Sequence, residues 1–514
     1  MPTKSLLPRL SFIGLALLLA GAAFAETADI AKHERWVTSA AFSPDGKIMA
    51  TGGGQSLQYR PGDIILWDAT SGAKVGELKG HEANVWSVAF SPDGTKLASS
   101  SYDGKVMLWD VAGKKAIATI DKYKSWVRSV AISGDGKHVA AGGEDGTVTI
   151  FGLAEGKEVK SIKAHETQVT RVAFSADGKT VATASTDKTA KLFDVEAGTE
   201  KAKLEGHTEA IWSVVFSPDG SQIATAGADR SIILWDANGK KQAALFGHTN
   251  WVTQVTYSKD GKSLASSALD WSVKNWDLAA ATQLAGQVEA AVAKATETRK
   301  TIDDASQHAA DAQKEADEAK SKAEAVASIV TSKEAAEKLK QAQAALDGDK
   351  ENADLKKAAE AAKTAADVAT KDMDAKIKAF AANKEFTASL NTLKGGELAA
   401  AVAERDKFGA EVEAATAKIA EANAKKAVAE KALDGVLAER QKLYDQQSTT
   451  LTGHKSTVWT TAFSPDGTTL VSGSHRVGAE TDTKTIRVWN LADGSDVFPA
   501  PKEEAEEDDE KQEE

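Results

Sequence analysis

The sequence predicts a mainly β protein: a seven-bladed β-propeller interrupted, between its sixth and seventh repeats, by a long α-helical antiparallel coiled coil. Three observations carry this expectation. One phrase, alternating apolar residues ahead of a turn, recurs seven times. A stretch rich in Ala, Lys and Glu, with neither Pro nor Trp, separates the last recurrence from the others. That stretch has a hydrophobic period of seven residues, which belongs to packed helices and not to strands.

The phrase first reads Trp36-Val-Thr-Ser-Ala-Ala-Phe-Ser-Pro-Asp-Gly46 and returns ending at Gly94, Gly136, Gly178, Gly220, Gly261 and Gly467. The first five intervals are 48, 42, 42, 42 and 41 residues, and the last is 206. Periods of about 40–45 residues match units of four short strands that cannot bury a face alone. The Asp-Gly pair supplies the tight turn between the first two strands of each unit.

His81 with Trp109-Asp110, His207 with Trp235-Asp236, and His248 with Trp276-Asp277 mark the two ends of a repeat. In these residues the chain resembles the WD-repeat family, over residues 26–277 and 448–500. The resemblance is specific for fold and hardly specific for function. It implies a buried polar network in each blade: His81, Ser99, Asp103 and Trp109; His207, Thr225, Asp229 and Trp235; His248, Ser266, Asp270 and Trp276. Two repeats depart from it. The fourth keeps His165, Thr183 and Asp187 but has Phe193; the third has Tyr123, Ala141 and Phe151, leaving Asp145 without its usual partners. The third blade is therefore expected to be the least rigid unless packing compensates.

A His followed by Ser or Thr and Asp also resembles a hydrolase triad. An active site occurs once, however, and this pattern occurs in several repeats, so it reads as a strut. No catalytic residue, cofactor site or metal site is expected. The nine His fall mostly one per repeat, spread and not clustered as ligands would be.

The first and last repeats carry longer second hairpins, Gly52–Gly62 and Gly473–Thr483, which become neighbours if the ring closes. Closure has two candidate strands. Thr27–Lys32, which precedes His33 as Glu77–Gly80 precedes His81, is favoured over Ser495–Ala500. Either removes an exposed sheet edge.

The interruption adds about 164 residues within one loop of the sixth repeat, and the helical segment is read as 278–447. Val288, Ala295, Ile302, Ala309, Ala316, Ala323 and Val330 form one seam, with Leu284, Ala291, Thr298, Ala305, Ala312, Ala319 and Val326 beside it. Ala401, Phe408, Ala415, Ala422, Ala429, Val436 and Leu443 answer near the other end. Two helices of about 45 residues, about 65–70 Å each, would run out and back. Thr331–Gly396 would form a tip of shorter helices, punctuated by the capping-box pattern Thr331-Ser-Lys-Glu334, by Asp347-Gly348-Asp349 and by Gly395-Gly396. Self-association through this arm is a further expectation.

The N-terminus reads as an export signal over residues 1–25. Lys4 and Arg9 precede the apolar run Leu10–Ala20, and Ala23-Phe24-Ala25 fits a cleavage site after Ala25. With no Cys in the chain, disulfides, thiol catalysis and a lipoprotein anchor cysteine are excluded. The expected location is periplasmic or secreted, with no membrane span after cleavage. At the other end, residues 501–514 are an acidic tail expected to be disordered: Lys502–Glu514 holds nine Asp or Glu against two Lys, so −7 of the net charge of −12 lies there. Export and acidic charge together argue against a nucleic-acid partner.

Of the twelve Trp, five end the third strand of a repeat, and six lie three or five residues after the His-equivalent position: Trp36, Trp86, Trp126, Trp212, Trp251 and Trp459. The family resemblance places these on one rim, where partners dock. Trp271 joins them from a hairpin, with Tyr102, Arg128 and Glu144 as polar decoration. Large amphipathic aromatics gathered on one face are interaction anchors. The expected function is a non-catalytic scaffold for a protein partner whose identity the sequence does not reveal. A binding module for carbohydrate or a Pro-rich peptide is the alternative, and a propeller enzyme ranks last.

Overall fold

The computed structural model describes residues 36–54, 61–475 and 485–498. The signal segment, the candidate strand Thr27–Lys32, the tips of both enlarged hairpins and the acidic tail lie outside the described residues. Among the described residues seven antiparallel sheets are built, six of four strands and one of three, with strands adjacent in chain order. The turn chemistry read from the sequence sets the first hairpin of each. The Ser43 hydroxyl donates to Asp45 Oδ1 at 2.7 Å and accepts the Ile48 N–H at 2.9 Å, while Asp45 accepts the Lys47 N–H at 3.1 Å. Gly46 takes a φ of +72°, where a side chain would be strained.

Each sheet buries its faces against its neighbours. Trp109 of the second sheet packs with Ala50, Ile64 and Leu66 of the first. Phe193 of the fourth packs with Ile150 and Ile162 of the third. The first strands of successive sheets touch in cyclic order, and Val458–Phe463 of the seventh touches Trp36–Phe42 of the first. Hydroxyls bolt these strands together: Ser39 accepts the Val88 N–H at 3.0 Å, Ser213 the Val255 N–H at 3.2 Å, and Thr460 the Ala40 N–H at 3.1 Å.

At the open edge of the seventh sheet the described residues include part of the second candidate, Ser495–Ala500, whereas the favoured Thr27–Lys32 lies outside them. Asp496 bridges Trp489, the Val497 N–H donates to the Val488 carbonyl at 2.6 Å, and Arg487 pairs with Asp496 at 2.8 Å. Phe498 is buried beside Val37, Trp67 and Val488. The C-terminal segment thus holds this edge at Val488 and Trp489. It follows Ile486–Asn490 after one short turn, so its contact is local.

The third sheet compensates for its missing network. Tyr123 is buried where His stands elsewhere, its hydroxyl donates to the Ala141 carbonyl at 3.1 Å, and Phe151 and Leu153 fill the space behind. Asp145 is left accepting the Thr147 N–H at 2.9 Å.

In the sixth sheet, Val273–Asp277 pairs with Ser448–Leu451, although four helices lie between them in the chain. These are α1 (Leu278–Gly348), α2 (Ala353–Ala379), α3 (Lys384–Gly395) and α4 (Leu398–Gln447). The described residues divide into two compact units, one reaching Ala290 and resuming at Arg440, the other Ala291–Glu439. In the first, Leu278, Ala281 and Ala285 pack against Leu245, Tyr257 and Trp276.

In the second unit α1 and α4 run antiparallel. Glu315 pairs with Lys418 at 2.7 Å, and Val326 and Val330 share a core with Ala401 and Phe408. The expected helix start at Thr331 is not there, since α1 continues unbroken to Gly348. The seam explains it. Ile329 and Val330 are both buried in the same core cluster, and the Thr331 hydroxyl donates back to the Ala327 carbonyl at 3.0 Å instead of capping. A capping pattern starts a helix only where the preceding residues have a reason to leave one. The other two punctuation points do end helices: α1 stops at Gly348, with Asn352 capping the start of α2, and Gly396 closes α3.

Candidate functional site

Two sets of polar residues need assignment, and the repeated one comes first. In the second sheet His81 Nδ1 lies 2.9 Å from Asp103, His81 Nε2 lies 2.7 Å from Ser99, and the Trp109 N–H donates to Ser99 at 2.8 Å. The fifth sheet repeats this with His207, Asp229, Thr225 and Trp235 at 2.9, 2.8 and 2.8 Å. The sixth repeats it with His248, Asp270, Ser266 and Trp276 at 2.9, 2.7 and 2.8 Å. In the fourth, His165, Asp187 and Thr183 keep the first two contacts at 2.8 and 2.7 Å.

Burial pushes each of Asp103, Asp187, Asp229 and Asp270 up, but bonds from the His and from backbone or hydroxyl donors more than offset it. All four end below the ordinary carboxylate range. Burial holds His165 and His248 below the usual imidazole value. In these four sets every hydroxyl, and every indole where one is present, is engaged inside its own sheet, which is the arrangement of a strut. Among the described residues no group of three or more His, Cys, Asp or Glu is placed to hold a metal ion.

The second set occurs once. The first strand of every sheet carries a register irregularity that inserts one extra residue. These residues are Thr38, Trp86, Arg128, Thr170, Trp212, Thr253 and Trp459. A bulge re-aims a side chain out of the alternating pattern. All seven line a single cavity of about 340 Å³, together with Tyr102, Trp126, Arg171, Trp251 and Leu269.

Within this ring the threonines and the larger residues behave differently. The Thr170 and Thr253 hydroxyls donate to the Ile211 and Val458 carbonyls of the next sheet, each at 2.6 Å, and Thr38 does the same toward Val85. The larger residues form a connected aromatic surface. Ring centroids lie 4.4 Å apart for Tyr102 and Trp126, 4.8 Å for Trp86 and Tyr102, 6.1 Å for Trp86 and Trp459, and 5.7 Å for the stacked Trp212 and Trp251. The Arg128 guanidinium sits among them, 5.0, 5.8 and 6.0 Å from the rings of Trp86, Trp212 and Trp126. That is cation–π range.

The Nε1 atoms of Trp86, Trp212 and Trp459 and the Nε of Arg128 are buried without a protein acceptor. Each such donor costs roughly 1–3 kcal/mol while unpaired. Burial lowers the Arg128 pKa against the opposing pull of Tyr102 and Glu144, and lowers Arg171 to about 10. Both remain cationic at neutral pH.

Seven of the nine predicted rim residues therefore converge: Trp86, Tyr102, Trp126, Arg128, Trp212, Trp251 and Trp459. Tyr102 is part of the wall, only 7% exposed, and not rim decoration. The other two stand apart. Trp36 lies against His475, ring centroids 5.1 Å apart. Trp271 is 54% exposed in a hairpin, held at a φ of +67°.

Thr38, Thr170, Thr253 and Arg171 were not foreseen. The signal was available. The bulged residue is always five positions after the His-equivalent, so comparing that position in all seven repeats groups the threonines with the tryptophans. One position further on, Arg171 stands where the other repeats have Ser39, Ser87, Ser129, Ser213, Gln254 and Thr460.

Comparison with known proteins agrees with this architecture. The profile of the WD domain G-beta repeat matches residues 26–68, 239–277 and 445–490. The profile of the second beta-propeller of echinoderm microtubule-associated protein matches residues 85–244. No curated protein matches the chain.

Proposed function

Because the chain belongs to the WD-repeat β-propeller family, a fold that generally serves as a protein-interaction scaffold, we propose that it is a non-catalytic docking protein whose seven sheets close into a seven-bladed ring. On this reading the aromatic cavity is the docking site and the helical segment, inserted between the sixth and seventh repeats, is a second contact surface. The scaffold works in the periplasm or outside the cell, after loss of residues 1–25. One observation supports the docking site above all. Seven bulges, one per sheet, aim their side chains at one point, and four of those side chains are large and carry buried donors without partners.

An enzyme is disfavoured because the one repeated His–Asp–hydroxyl set is wholly engaged in struts. No helix among the described residues is long and apolar enough to cross a membrane. Carbohydrate or a Pro-rich peptide is the second reading, favoured by the open rings of Trp251 and Trp271, 44% and 54% exposed. The test is capture from an extract of the native compartment by the full chain and by its Trp86→Ala, Trp212→Ala and Trp459→Ala variants. A specific partner lost by all three supports docking at the cavity. Normal capture by folded variants overturns it.

A further inference from the structure

We infer that the aromatic cavity is a carboxylate site, which takes an Asp or Glu side chain from an acidic segment of the docked partner. This rests on the docking reading above and adds the chemistry that the docked segment must carry.

The cavity is unbalanced in charge. Its lining contains two guanidiniums, Arg128 and Arg171, and no carboxylate. Among the described residues neither guanidinium has an ion-pair partner within 4 Å. Arg128 is held by ring faces, and a cation–π contact leaves in-plane N–H donors unused. Glu144 acts on it only at longer range.

The cavity is equally unbalanced in hydrogen bonding. Its threonine hydroxyls are engaged with carbonyls of the next sheet, and the unpartnered groups around it are all donors: three indole N–H groups and Arg128 Nε. A ligand that completes this site must bring acceptors and negative charge.

Arg171 makes the same point from its place in the repeat. At the equivalent position Ser39, Ser129, Ser213 and Thr460 bolt one sheet to the next by accepting a backbone N–H. Ser87 and Gln254 instead donate to the Val130 and Thr461 carbonyls of the next sheet, at 3.3 and 3.2 Å. Arginine has no acceptor for the first kind of bolt, and among the described residues Arg171 makes neither. The fourth sheet has given up a structural bolt and put a desolvated cation into the cavity instead. A planar carboxylate suits a guanidinium fork. Its methylene suits the ring faces of Trp126 and Trp251. A phosphate dianion offers no methylene to those rings and asks more of two cations.

The experiment is a titration of the full chain with acetyl-hexaglutamate-amide and with its hexaglutamine counterpart, followed by tryptophan fluorescence. Five Trp line the cavity, so occupancy changes the emission. The Glu peptide is expected to bind and the Gln peptide not. Arg128→Gln and Arg171→Gln are each expected to weaken binding at least about tenfold, as loss of a charge-assisted contact should. Arg171→Lys is expected to recover part of the loss, with melting curves confirming that each variant is folded.

Equal binding of both peptides, or of neither, overturns the carboxylate site. If Trp86→Ala still abolishes partner capture in that case, docking at the cavity stands alone. Displacement of the Glu peptide by equimolar inorganic phosphate also overturns it, in favour of an unselective anion site. A chain ending at Pro501 lacks the nine acidic residues of Lys502–Glu514. Much tighter binding by that chain would assign the site to the protein's own tail and overturn the partner as source.

Discussion

The Arg128 guanidinium lies 5.0 Å from the centre of the Trp86 ring, and both residues are bulged out of the first strands of neighbouring sheets. The contact joins two sheets through side chains whose strand neighbours point elsewhere. It also sets the terms on which each can be removed.

Trp86→Ala, Trp212→Ala and Trp459→Ala remove half-buried rings from a cavity wall. Each is expected to cost about 1–2 kcal/mol, below the roughly 3–5 kcal/mol of a fully buried aromatic. Trp109→Ala should cost that larger amount, because its ring is 1% exposed and its N–H bonds Ser99. Denaturant melts of the four variants check the ordering. Equal losses would make the cavity tryptophans packing residues.

Asp103→Ala, Asp229→Ala and Asp270→Ala should destabilise alike. Asp229 accepts from His207, from the Thr208 N–H at 3.0 Å and from the Ser231 hydroxyl at 2.8 Å. Its loss leaves several donors unpaired, at about 1–3 kcal/mol for each that stays buried. A catalytic role predicts something else, namely one variant inactive with its stability intact. Parallel melts of all three decide.

Acid should destabilise the protein through the struts. His165 and His248 have folded pKa values below the ordinary imidazole value, so the unfolded chain binds more protons than the folded one below about pH 6.5. Their contribution is complete above that pH and is lost as pH falls toward the folded values. The four strut carboxylates, also lowered, add a second loss that begins near pH 4. The melting temperature should therefore fall from pH 7.5 to 5.5. A His248→Gln variant, less stable at neutral pH, should show a shallower fall. An unchanged slope would contradict the assignment.

Trp271 occupies a left-handed turn position, φ +67°, where the second and third sheets have Gly104 and Gly146 at +78° and +80°. A bulky residue there costs roughly 1 kcal/mol that Gly does not. Trp271→Gly is expected to raise the melting temperature slightly. Weakened partner capture by the same variant would show what the strained, exposed ring is for.

Removing the helices should spare the sheets if the cut respects their packing. Ala281 and Ala285 are buried against the sixth sheet, and Lys241 pairs with Glu289 at 2.9 Å. Replacing Ala291–Glu439 by a short Gly-Ser linker should leave a cooperative β-type melt near that of the full chain. Replacing Ala281–Gln446 should lower it, because Leu245 and Trp276 lose their cover. Thermal melts by circular dichroism distinguish the two.

Periodic features were legible in the sequence alone. The recurring phrase located the first hairpin of every sheet, because Ser, Asp and Gly at fixed spacing make the same turn wherever they occur. The His–hydroxyl–Trp spacing located the struts for the same reason, and the seven-residue seams located α1 and α4. Local chemistry determines such features, so each can be read without its neighbours. Where neighbours decide, the sequence was silent or misleading. Thr331-Ser-Lys-Glu334 has the pattern of a helix start, yet packing of Ile329 and Val330 carries α1 through it. The edge beside Val488 and Trp489 is held by Asp496 and Val497, within the second of the two closing segments between which sequence pattern alone does not decide. The cavity depended most on tertiary structure. Thr38, Arg128, Arg171 and Trp459 differ in residue type and stand up to 421 positions apart. They meet because the first strands of successive sheets touch and each bulge re-aims one side chain into the same cavity, which only tertiary packing can bring about.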